Sequence, residues 1–370
     1  MKVKVTNNNN NDNNNNNKDF DCGSVRMRNR VYGISGVRVI NSNLNADFYN
    51  NPRCLPNGAF YATDVNHKFS NRNYFKNIPD KTVFVSKSEY FKTVSKSSKK
   101  GKKEENSSDN EKTLALVPRT LEENYENLFN SSISECVKDN SIALKNLFSC
   151  IDVRQFGIAF PITGCNISIT GAVQVYKAFN TYDKTHIEDI TIMSPYRLSS
   201  ENKNDKLSST LGSKTVLDEA HFAFPFTINP SEYNKWIDLG VTSGYTEEDY
   251  SLLKDGMNRG VTSYDSASKA GCENEYSVFI KIKEGSNLYI PSLNKLIKFE
   301  KGKGTEKDTV HFNFGQMLNR VKDSIESVEI YYNPYILNVE FDVDLDNVQY
   351  KDIISYQELK NGKGEFVLEQ

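Results

Sequence analysis

The chain has no apolar run near the ~20 residues that a membrane-spanning helix needs, and 37% of its 370 residues are hydrophobic. A soluble protein of the cytoplasm is expected, with no membrane partner. The start, MKVKVTNNNN, carries no apolar core of a secretory signal. The six cysteines (Cys22, Cys54, Cys136, Cys150, Cys165, Cys272) form no C-x-x-C pair, which argues against a structural zinc site and for reduced thiols. Phosphate-cradling glycine loops, the dinucleotide fingerprint, H-E-x-x-H and the nucleophile elbow are all missing. The four histidines (His67, His186, His221, His311) have no metal-ligand spacing. No cofactor, metal or catalytic residue is therefore expected. An excess of one charge is lacking too: 46 Lys and Arg stand against 48 Asp and Glu, a net charge of -2. A nucleic-acid binder with this balance must gather its bases on one face and its acids elsewhere.

What is present is unevenly arranged. Residues 7–17 are ten asparagines and Asp12. Such a tract buries too little apolar surface to offset its ordering entropy, so 1–29 reads as a disordered tail. A first strand is expected over Arg30 to Ile40, followed by the turn-rich Asn41 to Asp47. Ala62 to Lys76 is a helix candidate, capped by Thr63 or Asp64. Lys68 and Arg72, four apart, share a face of it. Lys87 to Lys103 holds seven lysines and one acid, Glu89, and reads as a basic insert over 76–112. Thr120 to Ser149 repeats apolar residues at three and four, as a core helix does. Ile187 to Ile228 sends out one alternating arm, crosses a polar middle and returns along another, which predicts a long hairpin. Glu247 to Gly260 is a helix, and Glu275 to Lys283 is an alternating strand. A helix near Phe314 to Ile325 and strands at Val328 to Tyr332 and Leu337 to Val343 follow, and 344–370 is a C-terminal segment; no motif is assigned from 287 on, a stretch that could include the last layer of the core.

Ile151 to Tyr176 looks like the anchor of the fold. Within Ser168 to Val175, Ile169, Val173 and Val175 alternate with Thr170, Gln174 and Tyr176, the period of a half-buried strand. Arg154 and Gln174 could turn polar groups from it to a ligand; an ordinary solvated sheet face gives the same pattern. Here D-V-R-x-F-G (Asp152 to Gly157), followed by I-T-G-x-V-Q (Ile169 to Gln174), resembles the backbone subunit of CRISPR Cascade surveillance complexes. That subunit is the seventh CRISPR-associated family, of the RAMP superfamily, and the likeness is nearest its subtype I-B (Csh-type) branch. The resemblance extends over residues 30–300.

The resemblance implies an α+β fold: an RRM-like (ferredoxin-like) antiparallel-sheet palm over 30–343. A long hairpin thumb (187–228) and a fingers insertion (76–112) would interrupt it. It implies a non-catalytic subunit that polymerises head to tail along guide crRNA, beside other Cascade subunits, and presents guide bases to target DNA. Thr63, Asp64, Val65, Lys68, Arg72, Asn73 and Tyr74 match the family's helix along the RNA, which makes Lys68 and Arg72 phosphate ligands and His67 a weaker contact. Asn43, Asn45 and Asp47 match a first-strand loop whose Pro and Gly are here Leu44 and Ala46. Ser268, Lys269 and Gly271 match an S-K-x-G turn near the RNA channel; such a turn can bring N–H groups and a cation to a phosphate. Met193 and Leu211 are wedge candidates in the thumb, near Ser209, Thr210 and Gly212 of a small-T-apolar-G patch. The alternative is an endoribonuclease of the same superfamily, cutting guide or target RNA with Asp47.

Overall fold

The computed structural model describes residues 25–95, 112–195 and 211–367. The Asn-rich tract, most of the Lys-rich insert and the middle of the long hairpin, including Ser209 and Thr210, lie outside the described residues.

The chain opens with β1 (Val31–Ser42), β2 (Tyr61–Ala62) and α1 (Asp64–Phe75). The hairpin β3 (Glu89–Ser95) and β4 (Lys112–Pro118) leads into four helices: α2 (Leu121–Phe129), α3 (Ile133–Lys138), α4 (Asn140–Phe148) and α5 (Ile151–Phe156). Strands β5 (Gly157–Ile162), β6 (Cys165–Thr170), β7 (Val173–Val175), β8 (Ala178–Asn180), β9 (Ile187–Met193) and β10 (Leu211–Ile228) follow. Next come α6 (Asn234–Asp238), α7 (Glu247–Arg259), β11 (Cys272–Ile282), β12 (Ile297–Glu300), β13 (Asp308–Phe312) and α8 (Gly315–Arg320). The described chain closes with β14 (Ile325–Tyr332), β15 (Leu337–Phe341), β16 (Val348–Asp352) and β17 (Glu358–Leu359).

The fold is mixed α+β, and β1 is its centre. It pairs antiparallel with β10 on one side and β11 on the other, and β11 pairs with β14. Both faces of this sheet are covered, so β1 is buried almost throughout and its sequence alternates poorly. On one face Val37, Val39, Phe222 and Phe226 pack with Phe75 of α1, Leu253 and Met257 of α7, and Leu147 of α4. On the other, Ile34, Val278 and Ile280 pack with Val310 and Phe312 of β13, Leu318 of α8 and Val339 of β15. Gly33 and Gly36 have a steric purpose. A Cβ there would fall 2.1 Å from the Phe226 ring and 2.3 Å from the Tyr276 ring, which cover the bare backbone from neighbouring strands.

Several elements differ from the sequence reading. Ser168 to Val175 is two strands in two sheets: β6 pairs with β5, whereas β7 pairs with β10. The break falls at Gly171, where a Cβ would stand 2.1 Å from the Phe156 carbonyl carbon. The helical stretch 120–149 is three short helices, broken at Asn130 in the left-handed region and again at the extended Asp139. The helix near 314–325 stops at Arg320 and continues as a 3-10 turn over Lys322–Ser324. Within the C-terminal segment, β16 joins the main sheet parallel to β14 and carries β17. At the front, Met27 is buried and its N–H bonds Tyr245 O at 2.9 Å, so residues 25–29 are docked.

Candidate nucleic-acid interface

Helix α1 is set by its first residues. The Thr63 hydroxyl accepts from Asn66 N–H, leaving Asp64 in the first turn, where the helix dipole favours an acid. His67, Ser70, Asn71 and Phe75 face the core, Val65 and Phe69 are exposed, and Lys68 and Arg72 are half-buried, each with 15% of its side chain accessible. Lys68 Nζ lies 2.9 Å from Asp64 Oδ2, one turn back. Arg72 is held more firmly. Its Nε lies 3.2 Å from Asp152 Oδ2, and Asp152 is fully buried, accepting also from Phe84 N–H (2.8 Å) and Val85 N–H (2.9 Å). The guanidinium sits 5.3 Å from the Phe156 ring centre and borders a shallow depression with Val85, Gly157, Ile158 and Ser168.

A second group of predicted residues meets at the end of β1. Lys269 Nζ donates to Asn43 O and Leu44 O, both at 2.6 Å. Leu44 O also accepts from Asn66 Nδ2 of α1 at 2.9 Å, which joins the S-K-x-G turn to the helix. Ser268 O accepts from the Ser42 hydroxyl and Asn43 N–H, and Gly271 O from Ile40 N–H. Gly271 has φ +97, and a Cβ there would stand 2.2 Å from Ile40 O, so the turn needs glycine. Asn45 Oδ1 accepts from both N–H and hydroxyl of Thr63 at 2.9 Å. Lys269, Ser268, Gly271 and Asn45 are thus joined to the first turn of α1, the helix that carries Lys68 and Arg72. Lys269 acts there as the loop's internal cation, and burial lowers its pKa.

Three predicted contacts lie elsewhere. His67 is buried, with its ring stacked on Phe224 at 4.3 Å and Nε2 3.2 Å from Met257 Sδ. Burial holds its pKa to about 3, so it is a neutral core residue and offers no charge to a phosphate. Arg154 pairs with Asp249 at the start of α7 and donates to Gly244 O at 3.0 Å, tying α5 to α7. Gln174 Nε2 donates to Gly171 O at 2.8 Å within its own turn.

The hairpin arms pair from Leu211 opposite Met193 to Leu217 opposite Ile187. Every residue of β9 is exposed, Met193 at 71%. Lys214 Nζ donates to Ala267 O at 2.9 Å, joining this ribbon to the turn at 266–271.

The loop after β1 is tightly built despite lacking the Pro and Gly. Asp47 Oδ1 accepts from Tyr49 N–H (2.8 Å) and Asn51 N–H (2.9 Å), Asn50 takes φ 67, and Arg53 Nε donates to Ala46 O. Asp47 therefore caps its own loop. Among the described residues, the His, Asp and Glu side chains close enough to share a cation are Glu219, His221 and Asp308. Lys301 Nζ already stands 2.5 Å from Glu219 and 3.4 Å from Asp308. His221 there is buried between Glu275 (2.9 Å) and Glu219 (3.4 Å) and stacks on Phe299.

A family model described as CRISPR-associated protein Cas7 matches residues 29–318. The chain belongs to this family. All the region just described lies inside the matched span, which ends within α8. Two solved chains are similar. One, from a "CRISPR RNA-guided surveillance complex, pre-nicking", has 12% identity and a TM-score of 0.47, over 82% of this chain and 92% of that one. The other, from a "CRISPR RNA-guided surveillance complex", has 11% identity and a TM-score of 0.42, over 85% and 95%. No curated protein matches. Among the described residues no helix is long and apolar enough to cross a membrane.

Proposed function

We propose that this chain is a non-catalytic, guide-RNA-binding backbone subunit of a CRISPR Cascade surveillance complex, of the subtype I-B branch. Copies line up head to tail along one crRNA, beside other subunits, and leave guide bases open to target DNA. The observation that carries this reading is the placement of two cations on α1. Lys68 and Arg72 stand one turn apart there, next to the loop and turn that Lys269 locks together. Cations spaced in this way hold phosphates without reading bases, and base pairing supplies the sequence specificity.

The order β11–β1–β10–β7, all antiparallel, supports an RRM-like, ferredoxin-like palm, with α1 following β1 and α7 between β10 and β11. Both faces of that sheet are buried, so RNA is held along a helix and a loop, unlike an RRM that stacks bases on its sheet. The β9–β10 ribbon is the thumb in this reading, with Met193 and Leu211 as its wedge, and β3–β4 belongs to the fingers. A wedge forfeits a few kcal/mol of stacking to kink the strand.

The test is binding of the purified protein to single-stranded guide RNAs of graded length across a salt series. The expected result is salt-sensitive binding, with one more copy bound for each fixed increment of length. Binding that is absent, or saturates at one copy on every length, would overturn the reading.

A further inference from the structure

Phe48 is 99% exposed and its neighbour Tyr49 84% exposed, on a loop that the protein holds rigid. Single exposed apolar residues need no explanation, but two adjacent aromatics on a fixed backbone are a different case. The backbone beneath them is set by Asp47 Oδ1, which accepts from Tyr49 N–H and Asn51 N–H. A bridge between Ala46 and Pro52 and the Asn43 Nδ2 bond to Asn50 O complete the frame. The foot of the loop is fastened to the first turn of α1, through Asn45 to Thr63 and through Leu44 O to Asn66. The two exposed rings therefore stand on a loop fastened to the start of α1, the helix that carries Lys68, Phe69 and Arg72. Arg53 adds a cation at the foot.

The chemistry that fits two exposed aromatic rings on a loop tied to a helix bearing Lys68 and Arg72 is single-stranded nucleic acid: phosphates on the cations and a base π-face on a ring. From this placement we infer that Phe48 and Tyr49 form a stacking platform for an unpaired nucleobase of the strand held along α1. The inference rests on the RNA-binding reading above and adds a base contact to it. Stacking tolerates any sequence, as a guide of arbitrary sequence requires.

The test uses the full chain and a single-stranded RNA with 2-aminopurine placed in turn at each internal position. Wild-type protein should quench the probe at some positions. The double variant Phe48→Ala, Tyr49→Ala should abolish that quenching and weaken binding about ten-fold. Phe48→Leu, Tyr49→Leu, which keeps apolar bulk but no ring, should behave alike. An RNA abasic at the quenched positions should bind wild type and variants equally, and the salt slope should not move. Unchanged quenching and affinity in the variants would overturn the inference while leaving the phosphate contacts intact. An equal loss on the abasic strand would also overturn it, showing that the rings support backbone binding only. So would self-association lost without RNA, since the rings would then face a second copy. Wild type that binds no RNA would sink both readings together.

Discussion

Lys269 Nζ lies 2.6 Å from the carbonyl oxygens of both Asn43 and Leu44, so its charge fixes the loop after β1. A half-buried ammonium donating to two carbonyls contributes on the order of 2 kcal/mol. Lys269→Met is expected to lower stability by about that amount in urea unfolding and to speed amide exchange across 43–52. The salt slope of RNA binding should stay unchanged. A slope that fell by about 0.7, the value of one phosphate contact on a single strand, would show that Lys269 reaches the RNA.

Lys68 and Arg72 should separate in the opposite way. Lys68 pairs with the half-exposed Asp64, a contact worth little to stability. Lys68→Ala should leave urea unfolding within about 0.5 kcal/mol of wild type and reduce the salt slope by about 0.7. Arg72→Ala strips the cation from the fully buried Asp152, so about 3 kcal/mol of stability should go with it. Asp152→Asn in the same chain should restore part of that loss. An Arg72→Ala protein as stable as wild type would mean that the pair carries no structural load.

These two residues show what local sequence can and cannot carry. Thr63, Asp64 and the four-residue spacing of Lys68 and Arg72 are legible because caps and helix faces are set within a turn or two. The partner of Arg72 is 80 residues away and that of Arg154 is 95 away, and no spacing rule joins them. Arg154 therefore read as a ligand when its charge is used on Asp249. His67 carried a usable signal: consecutive helical residues point apart, so it shares the buried face of Ser70 and Asn71, away from Lys68. The break between β6 and β7 was hidden because Gly171 interrupts a pattern whose parity happens to resume. Phe48 and Tyr49 carry no periodic signal in a turn-rich loop, and their exposure shows only in three dimensions.

Asp47 offers a direct comparison with the nuclease alternative. Its Oδ1 caps Tyr49 and Asn51 N–H groups, a role that an asparagine oxygen can also fill. Asp47→Asn should keep the loop and its RNA affinity, whereas Asp47→Ala should raise proteolytic nicking near 47–51. Neither wild type nor variant is expected to cut guide or target RNA with magnesium or manganese added. Cutting by wild type that disappeared in Asp47→Asn would make the chain an enzyme.

Two buried histidines pull stability in opposite directions with pH. Burial holds His67 to about 3, below its unfolded 6.5, so the folded state resists its proton. That histidine costs no stability above pH 6.5 and progressively destabilises the fold as pH falls from 6.5 towards 3. For His221, burial works to lower the pKa, but the charge of Glu275 and bonds to Glu219 and Glu275 outweigh it and raise the group to about 9. Its contribution is complete below pH 6.5 and is lost as pH climbs through 9. Between them the melting temperature should crest near pH 6.5. His221→Gln should flatten the alkaline limb and leave the acid one, and His67→Phe should do the reverse. Melts in which either substitution moved the other's limb would mean that the assigned charges are wrong, since among the described residues the two rings share no ionic partner: His67 meets Phe224 and Met257, His221 meets Glu219, Glu275 and Phe299.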